Sequence, residues 1–250
     1  MTVKRSRSAA RVLAVLEGIA HHQPIGVSEL ARVLDDDKSA VQRAIMTLAD
    51  TGWIASNGDT PRRWQVTAHI LTIAHAVHGG GDLVTRARPT LEALRRETGE
   101  TVLLTVPDIR NFVVVEVLES RYLLRTVPHV GMIIPVRGSS TSRAILPYMQ
   151  RDQQIEFLGG PPDDAMAEHF ARTVKNGYAI SDGDVVDGST NIAAPVFELG
   201  GRPVAAIVVS GPSDRLGPRE HGRIGRIVAQ AARGISRGAP AAISPGQEPA

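Results

Sequence analysis

From residue 7 to residue 20 the apolar positions Val12, Leu13, Leu16, Ile19 and Ala20 recur at helical spacing, and Pro24 and Gly26 then break the pattern. This predicts a first amphipathic helix. Ser28 reads as the N-cap of a short second helix with the face Leu30, Ala31 and Leu34, ending at the acidic run Asp35, Asp36, Asp37. A third helix is expected from about Lys38 to Ala49, with Val41, Ile45 and Leu48 turned inward and Thr51-Gly52 beyond its end. Residues 53–55 and 64–66 read as strands, with Asn57-Gly58 supplying hairpin-turn chemistry between them. Three helices and a β hairpin predict a winged helix-turn-helix.

The helical period returns over 68–78, through Ile70, Ile73, Ala74 and Val77, and Gly79-Gly80-Gly81 closes it, which predicts a linker helix. A further helix with the face Leu83, Ala87, Leu91 and Leu94 ends at Thr98-Gly99. The period then becomes that of strands, at 101–106, 112–118, 122–127, 178–182, 190–197 and 203–210, enough for one antiparallel sheet. Helices interrupt them: one starting near Ser142, kinked or shortened by Pro147, and one over 165–175 with Met166, Phe170 and Val174 inward and Asn176-Gly177 as its stop. The last opens at Gly217-Pro218 and buries Ile224, Ile227, Val228, Ala231 and Ile235. The class is α+β. The expected divisions are a DNA-binding domain at 1–67, a linker helix at 68–81, a second domain at 82–238, and a disordered, Ala- and Pro-rich tail at 239–250.

Composition narrows the function. The 250 residues include no cysteine, which removes disulfide scaffolds, thiolate metal sites and thiol nucleophiles. No apolar run approaches the roughly 20 residues needed to cross a bilayer, and no signal-peptide pattern opens the chain, so a cytoplasmic protein is expected. The net charge is only +2, so any affinity for nucleic acid has to come from how charge is distributed. Lys4, Arg5, Arg7 and Arg11 form a basic arm that suits phosphate contact, or equally a solvated helix start.

A helix in the major groove presents its outward side to base edges. On the third helix that side carries Lys38, Ser39, Gln42, Arg43, Met46 and Thr47. Gln and Arg match the edges of adenine and guanine, so Gln42 and Arg43 are the expected base readers, with Lys38 and Ser39 on phosphate. Arg62 and Arg63 fall on the wing, where they suit a minor groove or the backbone. Arg5, Arg7, Ser28 and Thr47 complete the candidate DNA-contacting set. The competing reading is a winged helix that binds protein through ordinary exposed polar residues. Asp35, Asp36 and Asp37 favour the positive end of the third helix but repel phosphate, so they are expected to point away from DNA.

The whole order, over about residues 7–237, resembles the IclR-type bacterial transcriptional regulators. The resemblance rests on SAARVLAVLEGIA, VSELARVLDDDKSAVQRAIMTLADTGWIA, ARPTLEALRRETGETVLL and GYAISDGDVVDGSTNIAAPVFELGGRPVAAIVVSGPSDRL. It implies a homodimer or tetramer that binds a palindromic operator in double-stranded DNA, with a GAF-like C-terminal sheet domain holding a small organic effector. It places that effector against residues 131–143, 181–192 and 208–210. Ser139, Ser140 and Thr141 combine hydroxyls with backbone N–H groups at a helix start, a place that suits a carboxylate or simple N-capping. By the same resemblance Ser181, Asp182, Asn191, Val208 and Ser210 line the site. Ser181, Asn191 and Val208 depart from the Asp, Cys and Ser that acid-binding members show, which implies altered ligand chemistry. Asp184 replaces a typical Glu and Arg137 a frequent His. Arg137 either grips a carboxylate or faces solvent.

An enzyme would need motifs that are absent: there is no GxSxG, Walker loop, GxGxxG or HExxH. The serine run with His129 and Asp184 is the one constellation that resembles a hydrolase triad, and its spacing does not demand one. His75 and His78 stand one turn apart and, with His69 or a partner subunit, match a metal spacing, but exposed linker histidines are expected. No metal and no cofactor is expected. A constitutive DNA-binding regulator whose second domain only dimerises is the remaining alternative.

Overall fold

The computed structural model describes residues 6–58, 61–77 and 82–238, and contacts divide the chain into two units, Met1–Asp82 and Leu83–Ala250. The basic residues Lys4 and Arg5, His78, the glycine run at 79–81 and the tail at 239–250 lie outside the described residues, as does the side chain of His75.

In the first unit, α1 (Arg7–His22), α2 (Val27–Val33) and α3 (Lys38–Asp50) precede the antiparallel pair β1 (Ile54–Ser56) and β2 (Trp64–Val66), and α4 (His69–Val77) follows. Val15 and Ile19 from α1, Leu30 from α2 and Val41, Ile45 and Leu48 from α3 meet Ile54 and Trp64 of the hairpin in one buried core. On α3 these are the positions that the helical period turns inward, whereas on α1 Val15 is buried beside Ile19 and Leu13, expected on that face, is 60% exposed.

Two local expectations change. Gly26, not Ser28, is the N-cap of α2. Ile25 is held extended by a pair of backbone bonds to Trp64 (3.1 and 2.9 Å), so the helix begins as soon as that bridge ends, leaving Ser28 exposed inside its first turn. β1 starts at Ile54 because Trp53 N–H still donates to Leu48 O (2.9 Å) and closes the end of α3. The strands are joined by residues 57–63. Asn57 remains structural there, accepting at Oδ1 from Arg63 N–H at 3.3 Å.

The second unit is a six-stranded antiparallel sheet in the order β5-β4-β3-β8-β7-β6. Its strands are β3 (Thr101–Asp108), β4 (Asn111–Leu118), β5 (Ile133–Ile134), β6 (Ala179–Asp182), β7 (Ser189–Phe197) and β8 (Pro203–Pro212). One face carries Val102, Leu104, Ile192, Ala194, Ile207 and Val209 and is covered by α5 (Asp82–Thr98) and α9 (Pro218–Ile235). The opposite face carries Leu103, Val114, Ala193, Ala206 and Val208. It packs against α6 (Ser140–Ile145) and α8 (Asp164–Asn176), with α7 (Arg151–Leu158) beside them. Strand alternation therefore gives two cores, one on each side of the sheet.

Residues 122–127 are not a strand. Their polar groups are held by side chains instead of a ladder: the Arg215 guanidinium lies 4.5 Å from the Tyr122 ring centre and donates to Leu124 O (2.9 Å). The edge of β4 pairs with the short β5 in their place. Pro147 ends α6, and the chain continues as a 3-10 turn, Leu146–Tyr148. α7 was not signalled by periodicity, because Leu158 is its one fully buried residue. On α8, Met166 and Phe170 are buried as expected, but Thr173 takes the inward place given to Val174, which is 46% exposed.

Candidate DNA-reading face and ligand cleft

α3 is split lengthwise. Ala40, Val41, Ala44, Ile45 and Leu48 are buried, while Lys38, Ser39, Gln42, Arg43, Met46 and Thr47 are exposed. Asp37 caps the helix, its side chain accepting from Ala40 N–H (2.9 Å) and from Ser39 Oγ–H. Those hydrogen bonds, the one from Ser39 foremost, hold the Asp37 carboxyl below the usual carboxylate range. Asp36 is held down likewise by the Arg11 guanidinium, which grips both of its oxygens. Arg11 is thereby used inside the unit, and the acidic run is partly neutralised where it meets α3.

The individual candidates differ in freedom. The side chains of Lys38 and Gln42 make no hydrogen bond among the described residues. Arg43 folds back to Ser39 Oγ (3.3 Å), and Thr47 donates its hydroxyl to Arg43 O (3.1 Å). Arg7 is exposed on the first turn of α1. Arg62 is exposed, with its guanidinium carbon 5.9 Å from the Trp64 ring centre, at the outer limit of cation–π attraction. Arg63 has an internal task that the sequence did not signal: it donates to Pro24 O (2.8 Å) and reaches Glu29 at 3.5 Å, tying the hairpin to the start of α2.

In the second unit a cleft of about 240 Å³ opens on the α6 face of the sheet. Its walls are mainly apolar, from Leu103, Val127, Pro128, Met132, Ile134, Val185, Val186 and Val208. Ser139, Ser140, Thr141, Ser189, Asn191, Ser210 and Thr126 supply its polar atoms, and no ionisable side chain lines it. The register explains this grouping: Asn191 lies opposite Ser210, and Leu103 opposite Val208, so all four point to one face. Ser139 also caps α6, accepting from Ser142 N–H at 3.2 Å.

Six of the eight expected effector residues come together here: Ser139, Ser140, Thr141, Asn191, Val208 and Ser210. Asp182 does not. It follows Ser181 by one position on β6 and so points to the other face, where its Oδ1 accepts from Thr190 (2.6 Å) and Ser213 (3.0 Å). Those two hydroxyls keep its carboxyl below the ordinary range. Ser181 lies on the cleft face opposite Asn191 but is 1% exposed and outside the lining, because α6 packs over β6. Arg137 also points elsewhere, donating to Leu158 O (3.2 Å) with Asp163 at 3.6 Å.

Leu103, Thr126, Val127 and Pro128 were missed. The last three belong to the segment misread as a strand and its continuation; there Thr126 Oγ1 reaches Ser210 Oγ at 3.0 Å and brings the segment against the cleft. A proline directly after the 122–127 run was the available signal. Asp184 is engaged by Arg143 at 2.8 Å and His129 is outside the lining, so the triad-like constellation does not assemble.

A winged helix with a polar outward face, in one chain with a sheet domain that holds an apolar cleft, is the organisation of a two-domain transcriptional regulator. The family models agree: "Bacterial transcriptional regulator IclR C-terminal" matches residues 75–237 and "IclR helix-turn-helix domain" matches residues 8–58. The chain belongs to the IclR family of bacterial transcriptional regulators. It is 30% identical over 243 residues to the HTH-type transcriptional regulator BhcR of Paracoccus denitrificans, covering 93% of this chain and 87% of that protein. The transcriptional repressor IclR of Escherichia coli is 25% identical over 244 residues, covering 92% and 89%. Among solved structures, an IclR homolog from Microbacterium hydrocarbonoxydans complexed with 4-hydroxybenzoate shares the fold. Its TM-score is 0.76 at 20% identity, over 92% of this chain and 97% of that one. The relatives are transcriptional regulators rather than enzymes, and this chain is a DNA-binding regulator of the same kind. Among the described residues no helix is long and apolar enough to cross a membrane, and no group of three or more His, Asp or Glu side chains is placed to hold a metal ion.

Proposed function

We propose that this regulator reads a palindromic operator as a cytoplasmic homodimer or tetramer, and that a small organic effector in the second unit sets its operator affinity. Gln42 and Arg43 read base edges, while Arg7, Lys38, Ser39, Thr47 and Arg62 engage phosphate or the minor groove. Arg5, beyond the described residues, extends the same basic arm. Ser28, exposed in the first turn of α2, offers its hydroxyl to a phosphate. Arg63 acts indirectly, by holding the wing.

The observation that carries the regulatory reading is the cleft itself: apolar walls, one cluster of hydroxyl and amide groups, and no ionisable side chain in its lining. Such a site takes a ligand of single-ring size with an apolar body and one polar end, a carboxylate bound by neutral donors being the first candidate. The 4-hydroxybenzoate in the Microbacterium homolog has that form. The site differs from the expected one in leaving out Ser181 and Asp182, so Asn191 and Ser210 carry the polar end with Ser139, Ser140 and Thr141, and Val208 forms the floor.

The test is a titration of small aromatic and aliphatic acids against the full chain, read both as direct binding and as operator affinity. A saturable ligand that shifts operator affinity by about 5- to 150-fold supports the reading. Binding to DNA that no ligand changes, with no acid retained in the cleft, makes the protein a constitutive regulator.

A further inference from the structure

A second cavity of about 290 Å³ lies at the β6 edge of the sheet, between α8 and the start of α9. Unlike the apolar cleft, it is lined by charged and titratable groups, among them Arg143, His169, Arg172 and His221. Arg143 is 7% exposed. Its Nη1 donates to Ile180 O (2.7 Å) and Asp184 Oδ2 (2.8 Å), yet its Nε is buried with no partner. His221 Nε2 is likewise buried without a partner. Arg143 Nε is thus a buried donor left unpaired, which is costly, and His221 Nε2 is a second unpaired nitrogen at the same cavity, a donor in one of its two tautomers.

Asp182 and Asp184 also line this space, but both are already engaged. Thr190 and Ser213 donate to Asp182, and Arg143 and the Asp182 N–H donate to Asp184. Arg172 extends over the cavity from the exposed side of α8 and meets His169 Nδ1 at 3.1 Å, which leaves His169 Nε2 as a donor. Burial first, and then the positive charges of Arg143 and Arg172, lower the pKa of His169.

We infer that this cavity is a second ligand site, built to hold a small phosphate-bearing anion. Arg143 donates from α6 and Arg172 and His169 from α8, and His221 on α9 adds a third direction in its Nε2–H tautomer, which an anion would select. A tetrahedral phosphate offers acceptor oxygens in as many directions, whereas a planar carboxylate saturates one arginine fork and leaves the rest unpaired. The site is tied to the apolar cleft through one ion pair. Asp184, the partner of Arg143, immediately precedes Val185 and Val186, which line that cleft, so the two cavities share one segment of chain. The assignment does not depend on what the apolar cleft binds.

Calorimetric titration of the full chain with inorganic phosphate and with glycerol phosphate, against acetate at matched ionic strength, tests it. Saturable binding of either phosphate compound is expected, and the tighter of the two shows whether an organic body is accommodated. Arg172→Gln should weaken binding by roughly ten- to a hundredfold, the loss of one charge-assisted contact. Its melting temperature without ligand should stay that of wild type, since Arg172 is exposed. In wild type the imidazole resonances of His169 and His221 should shift on phosphate addition, a readout independent of any variant. Failure of both phosphate compounds to bind, equal binding by acetate, unchanged affinity in Arg172→Gln, or unmoved imidazole resonances would overturn the assignment.

Discussion

At the scale of single residues, three side chains of the first unit make separable predictions. Gln42 and Arg43 stand on the exposed face of α3, so Arg43→Ala should cost about 1–3 kcal/mol of operator affinity and relax preference at one base position. Arg62→Ala should weaken binding to every sequence alike and lower the salt dependence by about one charge. Arg63→Ala should instead lower the melting temperature, because its contacts to Pro24 and Glu29 are internal. Binding assays on operator variants across a salt series, with a thermal melt of each protein, separate the three. Equal effects of Arg43→Ala and Arg62→Ala on all sequences would remove the distinction. The sequence distinguished inner from outer positions on α3 because a packed helix has one period. It could not distinguish Arg62 from Arg63, since that depends on a contact 39 residues away.

At the scale of elements, α3 depends on its cap. Asp36 and Asp37 have depressed pKa values in the fold, so the stability they give is complete above the ordinary carboxylate range and is lost as pH falls through the depressed values. Thermal melts of the winged helix should therefore decline on acidification below about pH 4. Replacing both residues by Asn should flatten that decline; a variant with the wild-type slope would show that other carboxylates are responsible. In the second unit, α9 lies so close to Tyr178 that a Cβ on Gly225 would stand 2.3 Å from its ring. Gly225→Ala should destabilise the unit by about 1–3 kcal/mol, measured by denaturant titration. A wild-type midpoint would mean that the ring moves aside freely.

Strand and helix boundaries were legible where the pattern was regular, as in β3, β4, β7 and β8, whose alternate residues fill the two cores. They failed at 122–127, where β-prone residues are held by Arg215 rather than by a neighbouring strand. Asp182 falls outside the cleft by alternation: Ser181 and Asp182 are adjacent on β6 and cannot share a face. α7 carried too small an apolar face to be seen.

At the scale of the whole molecule, the account is one of linkage: an effector that prefers one arrangement of the second unit alters operator affinity, with a coupling of about 1–3 kcal/mol. Asn191→Leu removes a polar group from the cleft while leaving the winged helix untouched. It should abolish the effector response and preserve operator affinity. An unchanged response would take Asn191 out of the site. The family and the two-unit organisation were legible because their motifs are local in sequence, whereas the cleft's ceiling at 126–128 was not, because it is assembled by a contact to β8.

The central claim is that the exposed face of α3 reads a defined sequence. The most direct measurement is fluorescence anisotropy of the full chain on the DNA flanking its own gene, compared with a scrambled duplex at physiological salt. The account predicts affinity at least about a thousandfold tighter for the flanking DNA, with most of that ratio lost in the Gln42→Ala, Arg43→Ala double variant. Equal affinity for the two duplexes, or a double variant that keeps the full ratio, would contradict it.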